Sequence, residues 1–266
     1  QSCGWLAAYM GSALTSPDDV HFRNLGGRAT QLELVDCRTQ CLRTWVKATR
    51  VGRAGGMIIQ HYDFKVNAGD RLVYSGDTYF GFFTSEALAN QLGIKDAATT
   101  GLALGGGPRS SPISFPRVPP FPDDRWRMVD RITAYQAAGG ERGLGRIQGE
   151  FDVDPAAWFF QAHFHQDPVC PGSLGLESLV QLLKFVALER WGRSNDAVFE
   201  SPRLGSLHEW VYRGQVIPSN QRVVVDAVIT QLDDDARALT ADGVLSVDGK
   251  VIYQMTGFSL RCAVDY

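Results

Sequence analysis

The sequence predicts an α+β protein made of two similar halves, each a long central helix wrapped by its own curved antiparallel sheet. Three observations carry this. A Gly-, Pro- and Ser-rich stretch, "GLALGGGPRSSPISFPRVPPFPDD" (101–124), can continue neither a helix nor a central strand and reads as a connector. A single ungapped offset of 179 residues aligns the segments on either side, setting Tyr74 over Tyr253, Val46 over Val225 and Leu25-Gly26 over Leu204-Gly205. Each segment also runs from an apolar, helix-like run into β-branched and aromatic runs broken by turn residues. The predicted units are therefore 1–100, a linker over 101–123, and 124–266.

The first unit opens on "QSCGWLAAYMGSAL", whose texture is that of the middle of a buried helix. A natural terminus is rarely so apolar, so the chain is expected to be a piece of a longer polypeptide. "FRNLGG" (22–27) is expected to hold a Gly turn, and "NAGDRLVY" (67–74) a hairpin turn before the strand run "GDRLVYSGDTYFGFF" (69–83). In the second unit, Pro171-Gly172-Ser173 supplies a stop, a joint and an N-cap, predicting a helix from Ser173 through at least Leu188. "VVVDAVITQL" (223–232) and "ARALTADGVLSVDGKVIYQMTGFSL" (236–260) read as strands broken at Asp242-Gly243 and Asp248-Gly249. The second Asp-Gly pair has apolar runs on both sides, as a hairpin requires. Helices apolar nearly all round must be covered on several sides, which a curved sheet does.

Composition narrows the function classes. The 266 residues carry a formal charge of −3 and no basic run, so a nucleic-acid partner is not expected. No apolar stretch reaches membrane-spanning length and no signal peptide is visible. The five cysteines (Cys3, Cys37, Cys41, Cys170, Cys262) are too scattered for a disulfide framework, and Cys37 and Cys41 have no second Cys/His pair nearby to complete a zinc site. They read as thiols of a reducing compartment, which predicts a cytoplasmic protein.

The chemistry concentrates in "WFFQAHFHQDPVCPGSLGLESLVQLLKF" (158–185). Glu177, Gln181 and Lys184 fall within about 60° of one another on the helix, a narrow polar stripe on an otherwise apolar cylinder. The stripe is either a solvent-facing seam or a functional edge. A carboxylate buried there would be pushed toward its neutral, proton-donating form. His163 lies among aromatics, where a histidine is often only a core group. With His165 it shares a strand-like spacing that could suggest a metal, but no third ligand is evident. What raises its interest is the company of a carboxylate fourteen residues on and a Gly at a helix start. Histidine accepts a proton near neutrality, a carboxyl group gives one, and free helix-start amides hold a carbonyl oxygen that gains charge. Those parts suit removal of a proton α to a thioester with loss of a β-hydroxyl.

This stretch resembles the active-site signature of the bacterial 3-hydroxydecanoyl-acyl-carrier-protein dehydratase/isomerase family, a hot-dog fold, through its HFxxDPVxPGxLGxE core. The likeness continues through "RMVDRITAYQAAGGERGLGRIQGEFDVDP" (127–155), "YRGQVIPSNQRVVVDAVIT" and "VDGKVIYQMTGFSL". The first half, with "CGWLAAYMGSAL", "FRNLGG" and "GDTYFGFF", resembles the companion hot-dog that precedes a dehydratase in polyunsaturated fatty acid synthases. The resemblance implies a tandem (double) hot-dog, with residues 1–100 a non-catalytic companion and 124–266 the dehydratase. It implies His163 as the base that takes the α-proton and Glu177 as the acid that protonates the departing hydroxyl. The Gly172 amide would hold the thioester carbonyl, with Gln181 hydrogen-bonding beside the acid in the substrate site. No metal or organic cofactor is implied. The (3R)-3-hydroxyacyl substrate would arrive on the phosphopantetheine of an acyl carrier protein, among the other domains of a multienzyme, and whether the 2-enoyl product is isomerised stays open.

In the homodimeric relatives a site pairs the His of one hot-dog with the acid of the other. At an offset of 179 the counterparts of His163 and Glu177 fall before Gln1, so the reading leaves open whether these two residues share one cleft. An intrachain pseudo-dimer is expected, with further association of two chains undecided. Two other functions fit the same fold, an acyl thioesterase and a scaffold without activity.

Overall fold

The computed structural model describes residues 1–35, 38, 41–95, 112–117, 120–164, 166–192 and 195–264. The first half opens with helix α1 (Ser2–Tyr9) and a 3-10 turn (Ser12–Thr15). Strands β1 (Val20–Gln31), β2 (Leu42–Ala54), β3 (Met57–Ala68) and β4 (Arg71–Thr84) follow, then the short helix α2 (Ser85–Ala89). The second half holds β5 (Ile113–Ser114), β6 (Arg131–Gln136), β7 (Arg146–Asp152) and the helices α3 (Trp158–Ala162) and α4 (Gly172–Trp191). It ends with β8 (Ala197–Glu200), β9 (Leu207–Tyr212), β10 (Arg222–Asp233), β11 (Ala238–Val247) and β12 (Lys250–Val264).

The described strands form one 12-stranded antiparallel sheet in the order β2-β3-β4-β1-β9-β12-β11-β10-β7-β6-β5, with β8 also paired to β12. The halves join where β1 meets β9, from Gly26 opposite Val211 to Thr30 opposite Leu207. The 179-residue offset carries Arg71, the first residue of β4, onto Lys250, the first of β12. It also carries the β3–β4 pair Val66–Tyr74 onto the β11–β12 pair Leu245–Tyr253, so the repeat is one of register as well as of pattern.

Helix α4 lies against the sheet of the second half and buries Leu179, Leu182, Leu183, Phe185 and Val186 against Val223, Val225, Ile229, Leu245 and Met255. Eleven of its residues are buried, as an apolar surface nearly all round the helix demands. The first half is different. Helix α1 has eight residues and buries only Cys3 and Ala7, while Trp5 is 68% and Tyr9 76% exposed. Within the described residues the expected buried helix is α1, which lies on a small cluster of Ile58, Tyr62 and Phe82 with Trp5 and Tyr9 facing outward.

Several local expectations shift. Asp248-Gly249 makes the β11–β12 hairpin turn, both residues at positive φ (48° and 82°) as a tight two-residue turn requires. Asp242-Gly243 does not break a strand. It sits at a register shift within β11, where the Asp242 carboxylate accepts the Gly257 amide at 2.8 Å. Leu25-Gly26 is likewise no turn but lies in β1 at a bulge, where a Cβ on Gly26 would come within 2.7 Å of the Trp210 carbonyl oxygen. Helix α4 begins at Gly172 with Pro171 at the N-cap, so Ser173 is a first-turn residue and caps nothing. Part of the linker belongs to the second half: Ile113 pairs with Ile132, and Phe115 is 2% exposed in the core. Residues 101–111, 118 and 119, together with Cys37 and His165, lie outside the described residues. Cys3, Cys41, Cys170 and Cys262 are free thiols. Among the described residues no helix is long and apolar enough to cross a membrane, and no three His, Cys, Asp or Glu side chains gather to hold a metal ion.

Candidate active site

Helix α3 ends at His163, whose extended backbone turns the chain into the loop that leads to α4. The loop closes on itself. Phe164 and Asp167 exchange backbone hydrogen bonds (3.1 and 3.3 Å), and the Val169 amide donates to the His163 carbonyl at 2.9 Å. The His163 ring returns the contact, with Nδ1 2.9 Å from the Val169 carbonyl oxygen. A carbonyl can only accept, so Nδ1 carries the proton and the lone pair of the neutral ring sits on Nε2. Among the described residues nothing hydrogen-bonds Nε2. The half-buried ring stacks on Phe164 at 3.9 Å, and Phe164 meets the edge of Phe22 from the first half at 6.4 Å.

The loop is tied at two further points. The Cys170 amide donates to the Val216 carbonyl at 2.9 Å. Asp167 receives a two-pronged hydrogen bond from Arg23 of β1, at 2.6 and 2.8 Å, and lies 3.0 Å from Nδ1 of His21. The Arg23 guanidinium, and after it His21, hold the Asp167 carboxyl below the usual carboxylate range. Arg23, His21 and Asp167 line an open cleft of about 580 Å³ between the halves that neither His163 nor Glu177 lines.

Gly172 opens α4, where first-turn amides have no acceptor within the helix. Its lack of a side chain has a local reason. A Cβ there would come within 2.7 Å of the Tyr212 ring, and one on Gly175 within 2.3 Å of Tyr253. The two tyrosines are buried, with ring centroids 4.4 Å apart, and burial pushes both hydroxyls well above their ordinary range. They form the hard floor on which the start of α4 rests. Nearby, burial raises the Cys170 thiol to about 12, so it is no nucleophile.

Glu177 is not enclosed as a buried helix residue would be, since its side chain is 33% exposed. Its carboxylate accepts from Gln181 Nε2 at 3.1 Å and lies 3.7 Å from Lys184 Nζ, so the polar stripe is a bonded unit. Gln181 is fully buried, and its amide also accepts the Met128 amide and donates to the Trp126 carbonyl, each at 2.9 Å. It fastens the acid to the chain entering β6. No hydrogen bond or ion pair among the described residues joins His163 to Glu177, and their partners are different residues. Sequence reading missed Arg23 and His21, because their partner Asp167 is about 145 positions away and only folding brings them together.

A family model for the FabA-like domain matches residues 121–256, about half of the chain. The chain is 29% identical over 294 aligned residues to one of the subunits of the polyunsaturated fatty acid synthase of Thraustochytrium sp. (strain ATCC 26185 / S-3). That alignment covers 99% of this chain but 19% of the relative, so the chain spans about a fifth of its length. Among solved structures, a tesB protein of Mycobacterium avium subs paratuberculosis matches 96% of this chain and 83% of its own, with a TM-score of 0.51 and 12% identity. A conserved protein of unknown function with hot-dog fold from Alicyclobacillus acidocaldarius matches 98% and 86%, with a TM-score of 0.51 and 12% identity. At such identities these two speak for the hot-dog fold alone. With the match running through the loop of His163, helix α4 and the strands that wrap it, the chain belongs to the FabA-like domain family.

Proposed function

We propose that this chain is a tandem hot-dog dehydratase that converts (3R)-3-hydroxyacyl thioesters on an acyl carrier protein into 2-enoyl thioesters, as one part of a multienzyme that builds polyunsaturated fatty acids. The observation that carries the reading is the His163 ring, whose Nδ1–H is committed to the Val169 carbonyl so that Nε2 is a fixed proton acceptor. In the proposed step Nε2 takes the α-proton, and the charge developing on the thioester oxygen is held by the Gly172 amide at the start of α4. The electron pair forms the α,β double bond as the C–O bond breaks. Glu177 protonates the departing hydroxyl, which leaves as water. The family and the similarity to part of a polyunsaturated fatty acid synthase support the reaction class and its setting. The repeat in strand register supports the tandem arrangement.

The test is turnover of 3-hydroxyacyl-carrier-protein substrates of several lengths, followed by enoyl absorbance and by free-thiol release. Wild type is expected to form enoyl product without releasing thiol. His163→Ala should lower turnover at least ~10²-fold with the fold intact, in line with loss of a general base. Glu177→Gln, which keeps shape and hydrogen bonding, should also lose at least ~10²-fold. Full turnover by His163→Ala overturns the assignment. Full turnover by Glu177→Gln moves the acid to another group, and thiol release by wild type favours a thioesterase.

A further inference from the structure

We infer that Arg23, a residue of the first half, is a positioning residue for His163 in the second, acting through Asp167. Arg23 is 8% exposed, and a guanidinium is buried at heavy cost unless its donors are matched. Four of its five N–H donors find acceptors around this loop. Nη1 and Nη2 straddle the two carboxylate oxygens of Asp167, Nε donates to Gln215, and Nη1 also reaches the Phe22 carbonyl at 2.8 Å. A two-pronged pair fixes the carboxylate in plane and angle, which a single point charge cannot do.

The held residue is the one whose backbone closes the loop. Asp167 exchanges hydrogen bonds with Phe164, the residue directly after His163 and the ring on which the imidazole stacks. Two residues beyond Asp167, Val169 supplies the carbonyl that fixes the imidazole proton on Nδ1. The orientation of His163 is thus set by a carbonyl whose loop is fastened across the seam by Arg23. Phe22, the neighbour of Arg23 on β1, touches Phe164 and adds an apolar contact to the same loop. The first half therefore contributes to the site by holding the other half's base in place.

The kinetic part of this inference rests on the dehydratase reading, and its spectroscopic part does not. In a folded Arg23→Met variant the nitrogen resonances of the His163 ring should lose the signature of a fixed Nδ1–H tautomer and report exchange between tautomers. With 3-hydroxyacyl-carrier-protein substrate, kcat should fall roughly 10- to 100-fold with KM changed less than about threefold, the pattern of a misplaced catalytic group. Asp167→Asn should show the same split, and the double variant should be no worse than the poorer single one, since both act through one contact. Arg23→Lys keeps the charge but loses the fork, and should show a smaller loss in the same direction. It serves as the test if Arg23→Met does not fold. Unchanged His163 resonances in the folded variants overturn the inference, as do additive losses or an unaltered kcat. A wild type without dehydratase activity sinks the proposed function and leaves the resonances to decide the role of Arg23.

Discussion

Replacing Gly175 by Ala tests how the start of α4 is seated. An alanine Cβ at this position would lie 2.3 Å from Tyr253 Cε2, 2.8 Å from Cδ2 and 3.4 Å from Leu245 Cδ1. Ordinary contact begins at about 3.5 Å, so helix and ring must part by about 1 Å. The ring has nowhere to go, being 3% exposed and packed on Tyr212, which in turn lies under Gly172. Overpacking a filled site costs about 1–3 kcal/mol, and a displacement of this size belongs near the upper end. Alanine returns about 1 kcal/mol of helix propensity, which leaves a net loss of about 2 kcal/mol. Urea denaturation followed by circular dichroism would measure it as a lower midpoint at unchanged slope. Because Gly172 rides on the same turn, kcat should fall as well. Adding Tyr253→Leu should recover part of the loss, as the obstacle and the methyl are one interaction. A Gly175→Ala variant as stable as wild type, or more so, would refute the reasoning, since propensity would then have outweighed a contact that does not exist.

Two further outcomes follow from the same geometry. Gln181→Leu leaves the Met128 amide and the Trp126 carbonyl without their partner in a buried place. At about 1–3 kcal/mol for each orphaned group it should lower stability by about 2–6 kcal/mol in urea denaturation, and a loss under 0.5 kcal/mol would show that water replaces the amide. Asp167 titrates below the usual range because Arg23 first, and then His21, favour its ionised form. Its contribution to stability is therefore present above the unfolded carboxyl's value, roughly 3.9, and is lost as pH falls through the lower folded value. Denaturation midpoints measured from pH 6 downward should fall less steeply for Asp167→Asn than for wild type in that window, and parallel curves would count against the pairing.

What could be read in the sequence was what is local or repeated. The β11–β12 hairpin was visible because Asp248-Gly249 is a turn signal with apolar runs on both sides. The repeat was visible because β4 and β12 keep their alternation at one offset, and strand register tolerates no slip when a face is buried. Errors came where the same local signal served a different partner. Gly26 looked like a turn because glycine usually marks one, yet it is there so that β9 can approach β1 closely. Ser173 looked like a cap, but Pro171 already occupies that place. The candidate residues His163, Gly172, Glu177 and Gln181 come from one short segment. What each touches could not be read there, since Trp126, Met128 and Arg23 come from distant parts of the chain. That Glu177 is partly exposed and bonded to Gln181 and Lys184 follows from which side of α4 the sheet leaves uncovered, a tertiary fact.

The seam argues that the halves form one folding unit rather than two domains in contact. Several of its buried and half-buried polar groups find partners across it. Trp210 Nε1 donates to the Asn24 side chain at 3.0 Å, Arg213 donates to the Leu25 carbonyl at 2.8 Å, and Arg23 is satisfied by Asp167 and Gln215. Either half alone would expose a strand edge, β1 or β9, and leave these donors to water. Independent domains usually meet through modest interfaces of the transient kind, which each can forgo. Here the first half completes the sheet of the second and holds a charge that the second half's loop needs. The register of β1 against β9 puts Arg23 within reach of Asp167, so the hold on this loop depends on the first half.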